Sequence, residues 1–269
     1  MVTGAAGELG RGIADRLHAD GYTVVGLDRA PAPADLGPFR AWTVADQTER
    51  TAVDEALLAL TSQHGPLDVV VANAGYAKFG SWLDLDARTF ERHVSVNLVG
   101  TFHVLQAAAR RMAEAGRGGS LVVISSSLAL THADQVGPYC VTKSALLDLT
   151  RSMAAELGVH GIRVNAVLPG VVETGMTHGM LAAPGVRDDL VDRTPLRRLG
   201  APQDIAAAVA FLASADAAWV SGATLGVDGG QSLYGQPQWM RQRRHTFNEP
   251  TWEPGLGEHT PTDHKESTS

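Results

Sequence analysis

Three side chains in one short stretch have the types and the spacing to move a proton at a carbon–oxygen centre. Tyr139 and Lys143 lie four residues apart in a segment that reads as a helix, so phenol and ammonium share a face. A phenol is a poor acid near neutrality, with an ordinary pKa of roughly 10. A cation held beside it favours the phenolate and lowers that value. Ser126 stands thirteen residues before the tyrosine, at the end of the apolar run Leu121-Val122-Val123-Ile124. Its hydroxyl is placed to hold a carbonyl or alcohol oxygen against the phenol, which makes a general acid–base site. Tyr-x-x-x-Lys by itself is equally the mark of an ordinary surface pair on an amphipathic helix. The elements around it decide between the two.

Those elements alternate. Thr3-Gly4-Ala5-Ala6-Gly7-Glu8-Leu9-Gly10 leads into an amphipathic helix that runs to about Asp20. Its glycines let backbone approach a pyrophosphate, and the helix start adds N–H groups and a positive dipole end. A second strand, Tyr22 to Leu27, ends at Asp28, about twenty residues after the glycines. A carboxylate there is placed to accept both ribose hydroxyls of NAD and to repel the extra phosphate of NADP. Arg29 beside it pulls the other way. A third strand, Arg40 to Ala45, meets Asp46, and Gln47 to Ser62 reads as a helix. Leu67 to Ala72 is continuously apolar, as a buried parallel strand is, and runs into Asn73-Ala74-Gly75. A long helix covers about Asp86 to Ala115 and carries Asn97 amid apolar neighbours. That asparagine is either a satisfied core residue or a site residue.

A fifth strand, Leu121 to Ser125, precedes the Tyr139 helix, which runs to about His160. A strand at Ile162 to Leu168 meets Pro169-Gly170, and a Gly/Pro-punctuated stretch fills 171–199. A helix at Pro202 to Ala213 and a strand at Thr224 to Val227 complete the series. The alternation predicts an α/β fold: a Rossmann-type doubly wound parallel sheet in a three-layer α/β/α sandwich. The unusual residues fall at strand C-termini, where such sheets bind ligands.

Composition narrows the function classes. The 269 residues, 44% apolar and 19% charged, suit one ordinary globular domain of this kind. A formal net charge of -7 lacks the basic footprint of a nucleic-acid binder. One cysteine, Cys140, excludes an intrachain disulfide and fits a reducing compartment. The chain has no apolar run long enough to suggest a membrane span, and no signal peptide precedes the first motif. A cytoplasmic location and no metal are the expectations.

Taken together, the motifs resemble those of the short-chain dehydrogenase/reductase family over about Met1 to Gly230. They are TGAAGELG, Asp28, Asp46, Asn73-Ala74-Gly75, Asn97, Ser126, Tyr139-x-x-x-Lys143, PGVVET at 169–174 and VDGG at 227–230. The resemblance implies a catalytic tetrad of Asn97, Ser126, Tyr139 and Lys143, the family spacing selecting Ser126 over Ser125 and Ser127. Tyr139 would be the acid/base and Ser126 would orient the substrate oxygen. Lys143 would lower the tyrosine pKa and hold the nicotinamide ribose, and Asn97 would hold a water of a proton relay. Implied cofactor contacts are Gly4, Gly7, Glu8, Leu9, Gly10, Asp28, Asp46, Gln47, Asn73, Ala74, Gly75, Tyr139, Lys143, Pro169, Gly170, Val172 and Thr174. The implied activity is NAD-dependent interconversion of a secondary alcohol and a ketone, NADP being the less favoured cofactor. The implied assembly is a homotetramer or homodimer, through the helices at about Asp86 to Ala115 and Gly137 to His160. Leu128, His132, Gln135, Val136, the segment 76–79 and the lid around 176–191 are the expected substrate-side residues.

There are departures from the pattern. The compact branch of the family usually carries T-G-x-x-x-G-x-G, and here Glu8 takes the place of the middle glycine. T-G-x-x-G-x-x-G resembles the extended branch of sugar-nucleotide epimerases, whose longer C-terminal domain is absent, and epimerisation is one rival reading. A cofactor-sensing protein without turnover is the other, and the intact tetrad speaks against it. A carboxylate beside pyrophosphate is unfavourable, so Glu8 is expected to face solvent. Only Met1 and Val2 precede Thr3, where a central strand of about five residues is usual. Restoring upstream residues, if the gene encodes them, is expected to raise the melting temperature. The NAD(P)-binding domain is expected to span 1–234, with a substrate lid at about 171–199. A C-terminal extension at 235–269 is expected to be partly disordered. Trp239, Met240, Phe247 and Trp252 within it suit either a solvated tail or an arm packing on a neighbouring subunit or the site mouth.

Overall fold

The apolar runs become strands, and the amphipathic stretches between them become helices. The strands are β1 (Val2–Thr3), β2 (Val24–Asp28), β3 (Phe39–Val44), β4 (Val69–Ala72), β5 (Gly119–Ile124), β6 (Ile162–Pro169) and β7 (Thr224–Val227). The main helices are α1 (Glu8–Ala19), α2 (Arg50–His64), α3 (Ala87–His93), α4 (Thr101–Ala115) and α5 (Gly137–Leu157). They are followed by α6 (Gly175–Leu181), α7 (Val186–Arg193) and α8 (Pro202–Ala213). The structure, a computed structural model, describes residues 1–234. Residues 1–232 form one compact unit. A second unit spans 233–269, of which Leu233 and Tyr234 are described, so the expected C-terminal arm lies outside the described residues.

All seven strands are parallel, in the order β3-β2-β1-β4-β5-β6-β7. Side chains alternate across the sheet and divide the core in two. Val70, Leu121 and Val123 face the layer of α2, α4 and α5, while Val69, Val71 and Val122 face α1 and α8. Both faces are covered, which is why these strands read as unbroken apolar runs. β1 is only two residues long, yet Met1 extends its pairing with β4, donating to the Val69 carbonyl at 2.8 Å. The chain order reverses between β1 and β4, and that switch opens a crevice at the carboxyl edge.

One helix differs from the expectation. The span from Asp86 to Ala115 is not a single α-helix, because a π-helical segment at Val94–Gly100 separates α3 from α4. A π turn widens the backbone and marks functional sites more often than chance. At the end of this segment, Gly100 leaves room for a neighbouring side chain, since a Cβ there would lie 2.7 Å from Gln47 Cγ. The Gln47 amide packs into that space and donates to the Val96 carbonyl at 2.9 Å. Among the described residues no helix is long and apolar enough to cross a membrane, and no cluster of His, Cys, Asp or Glu is placed to hold a metal.

Candidate active site

The ends of β1, β2, β4, β5 and β6 wall a groove of about 890 Å³. One wall is the glycine turn before α1. Gly4 is left-handed, with φ +63°, and a Cβ on it would meet the Ala74 backbone at 2.8 Å. A Cβ on Gly10 would lie 2.3 Å from the Gly4 carbonyl oxygen. Only glycine allows this closure, which brings the start of α1 and its free amides to the groove. Thr3 Oγ1 accepts from the amides of Asn73 and Ala74 at 3.0 and 3.1 Å, and Asn73 Nδ2 donates back to the Thr3 carbonyl at 3.0 Å. The ends of β1 and β4 thus form one hydrogen-bonded rim.

Two carboxylates stand along the next wall. Asp28 accepts from the amide of Ala6 at 3.0 Å and of Ala30 at 2.9 Å, one bond to each oxygen. The group is fixed, and each oxygen keeps a free lone pair. Asp46 accepts from the Thr48 amide and hydroxyl at 2.9 and 2.8 Å. Burial works to raise its pKa, and these two bonds with the nearby Arg29 and Arg92 outweigh it, so the net direction is down. Gln47 lines the groove, but its side chain is turned to the Val96 carbonyl and the π segment.

Ser126, Tyr139 and Lys143 line the same groove. Lys143 Nζ lies 5.5 Å from the Tyr139 ring centroid and donates to the Ile124 carbonyl at 2.7 Å. Ser125 Oγ anchors the lysine from behind, donating to its carbonyl at 2.8 Å. Ser126 Oγ accepts from the Leu128 amide at 3.2 Å. Desolvation dominates both titrating groups. It pushes the Lys143 ammonium down to about 8 and the Tyr139 phenol up to about 12, the Ser126 hydrogen bond offsetting part of the latter. Burial disfavours the phenolate, and the Ser126 hydrogen bond returns only part of that cost.

Asn97 is fully buried on the π segment. Its Oδ1 accepts from the Tyr76 amide at 2.7 Å, and its Nδ2 donates to the Tyr76 carbonyl and to Thr142 Oγ1 at 2.9 and 3.0 Å. Both amide hydrogens are taken, so its side chain has none to donate to a water. Its contacts fix the chain after β4. A Cβ on Gly75 would sit 3.6 Å from both Asn97 Oδ1 and Lys143 Nζ, so the glycine brings asparagine and lysine close to one point.

A family model described as enoyl-(acyl carrier protein) reductase matches residues 4–232. L-rhamnose 1-dehydrogenase (NAD(P)(+)) of Azotobacter vinelandii is 38% identical over 242 residues, covering 86% of this chain and 94% of that protein. The chain belongs to the short-chain dehydrogenase/reductase family. Solved structures of the family superpose closely. A short-chain type dehydrogenase/reductase from Mycobacterium ulcerans has a TM-score of 0.81 at 35% identity, covering 86% of this chain and 88% of that one. A gluconate 5-dehydrogenase from Burkholderia cenocepacia, in complex with NADP and tartrate, has a TM-score of 0.82 at 31% identity, covering 86% and 94%.

Within this short-chain dehydrogenase/reductase the substrate side differs from the sequence expectation. Tyr76 and Met176 line the groove, and Leu128, His132, Gln135 and Val136 do not. In the loop carrying the latter, Gln135 is left-handed with φ 63°, and its carbonyl accepts from the Gly80 amide at 2.8 Å. Glu8 is exposed, yet it does not simply face solvent. It accepts from the Gly175 amide at 3.0 Å, across the groove. The lid stem holds a residue that motif reading passed over. Gln231 accepts from the Val171 amide at 2.8 Å and donates to Thr194 Oγ1 at 2.9 Å, tying both ends of the lid with one side chain. Its position one residue past VDGG was the only available signal.

Proposed function

We propose that this chain is an NAD-linked oxidoreductase that interconverts a secondary alcohol and a ketone. The observation that carries the reading is the presence of Ser126, Tyr139 and Lys143 in one groove with the glycine cradle and Asp28. The groove fits a dinucleotide on two further observations. Side chains are excluded from the turn at Gly4 and Gly10 by backbone contacts, leaving amides and the positive end of α1 toward a pyrophosphate. Asp28, held by two backbone amides, stands where a ribose would lie. A 2′-phosphate would meet its carboxylate, which favours NAD over NADP.

A bound nicotinamide supplies the hydride acceptor or donor. The chain's own residues handle the oxygen and its proton. Tyr139 takes the proton from the alcohol oxygen on oxidation and returns it on reduction, while Ser126 beside it holds that oxygen. With an ammonium at about 8, Lys143 is mostly charged at neutral pH and stabilises the phenolate that oxidation requires. Asn97 positions Tyr76 and the rim that carries Gly75. A homo-oligomer belongs to the same reading, supported by exposed apolar Val99 on the π segment and Val141 on α5. So does a cytoplasmic location, supported by the one buried free thiol, Cys140.

The test is titration with NADH and NADPH, followed by nicotinamide fluorescence. Tight NADH with weak NADPH is the expected result and directs a dehydrogenase screen with NAD. The rhamnose and gluconate enzymes among the relatives make aldoses and polyols its first members. Binding of neither dinucleotide overturns the reading.

A further inference from the structure

Glu8 and Gly175 belong to opposite walls of the groove. Glu8 opens α1, in the wall that cradles the pyrophosphate under the proposed function, and Gly175 opens α6 in the lid. The 3.0 Å bond from the Gly175 amide to Glu8 Oε2 joins residues 167 apart in sequence. No side chain of α6 or α7 is fully buried, although several are half-buried. A segment with so little full burial opens at low free-energy cost, so each directed bond at the start of α6 contributes to holding it. Glu8 makes no ion pair among the described residues, which leaves its carboxylate to the lid. A favourable charge at the start of α1 would need no such reach, and an aspartate would provide it equally.

We propose that Glu8 is a latch, a positioning residue that holds α6 closed over the groove and sets how fast the dinucleotide exchanges. This rests on the cofactor reading above. Entry of a dinucleotide requires the Glu8–Gly175 bond to part, and re-forming it retains the bound molecule.

Two substitutions separate the latch from the helix-dipole effect. Glu8→Asp keeps the charge at the start of α1 but is one methylene too short to span. Glu8→Gln keeps an acceptor oxygen at full length and removes the charge. Hydrogen exchange of the 172–181 segment is measured first, without cofactor, and NADH release is then timed by stopped-flow displacement. Thermal melting serves as the folding control. E8D is expected to exchange faster at Gly175 and to release NADH about fivefold faster, the scale of one exposed hydrogen bond. E8Q is expected to keep the wild-type protection. Wild-type exchange and release in E8D, or E8Q exchanging as fast as E8D, overturns the latch. If the wild-type protein fails to bind NADH, the cofactor reading falls, and exchange of the cofactor-free lid still decides the latch.

Discussion

Replacing Lys143 by methionine should leave the protein at least as stable at neutral pH while ending its proton chemistry. Lys143 is 3% exposed, and its ammonium donates to the Ile124 carbonyl. Burial lowers its pKa from 10.5 to about 8, and a drop of that size corresponds to roughly 3 kcal/mol spent on keeping the group charged in the folded state. Methionine fills a similar volume without that cost. The Ile124 carbonyl loses a donor, which costs about 1–3 kcal/mol. The balance is a variant roughly 0–2 kcal/mol more stable, where most buried substitutions destabilise.

The pH dependence is the sharper measurement. Between about 8 and 10.5 the unfolded chain holds the lysine proton and the folded chain does not, so wild-type stability rises with pH across that window. K143M should lack the rise. Tyr139 works in the opposite sense. Its phenol stays protonated up to about 12 when folded, against 10 when unfolded, so stability falls between those values in both proteins. Urea unfolding at a series of pH values reads both limbs. The same slope between about 8 and 10 in wild type and variant would refute the reasoning. So would a K143M protein clearly less stable than wild type at neutral pH.

Three further outcomes are expected. Tyr139→Phe should lower kcat by about 10²–10⁴-fold with NADH affinity within about twofold of wild type by the same proton-transfer argument; a fall in binding as large as the fall in rate would mean the ring is structural. Asp28→Asn removes the charge that faces a 2′-phosphate and should move the NADPH-to-NADH affinity ratio toward NADPH by about tenfold, a gain near 1.4 kcal/mol; an unchanged ratio would shift the choice of cofactor to Arg29. Gln231→Ala frees the Val171 amide and Thr194 hydroxyl, so unfolding free energy should fall by about 1–2 kcal/mol and the cofactor KM should rise. An unchanged KM would separate the lid stem from the groove.

The sheet was legible because its central strands are largely apolar runs and the strands end at polar residues or glycine: Asp28, Asn73, Ser126, Gly170. Those endings also gave the groove, since a parallel sheet carries its strand C-termini on one edge. The π segment was not legible, because its side-chain contact, Gln47 against Gly100, spans 53 residues, and helix propensity has no term for that. Asn97 left two readings open, core residue or site residue; its side chain is satisfied within the protein, at a position beside Gly75 and Lys143. For a related reason, a sequence shows which cation is near a phenol but not how much water both have lost. Glu8 is exposed as expected, and its bond to Gly175 was not legible because that partner is 167 residues away.

The site divides into a fixed part and a soft part, and the division falls at Gly170. Before it, the polar side chains that motif reading offered to a ligand are already bonded within the protein. Asn73 is held to the end of β1, Asn97 to Tyr76, Asp28 to Ala6 and Ala30, and Asp46 to Thr48. Such groups lose little conformational freedom when a ligand arrives, so what they contribute is orientation. Beyond Gly170 the lid fully buries no side chain of α6 or α7 and is held by directed bonds that include those from Gln231 at the stem and from Glu8 to the start of α6. Substitutions in the fixed part should therefore act on what is bound and on the chemical step. Substitutions in the lid bonds should act on exchange rates. A glutamate where the family usually has glycine moves one control of that exchange onto the start of α1, next to the charge it would have to retain.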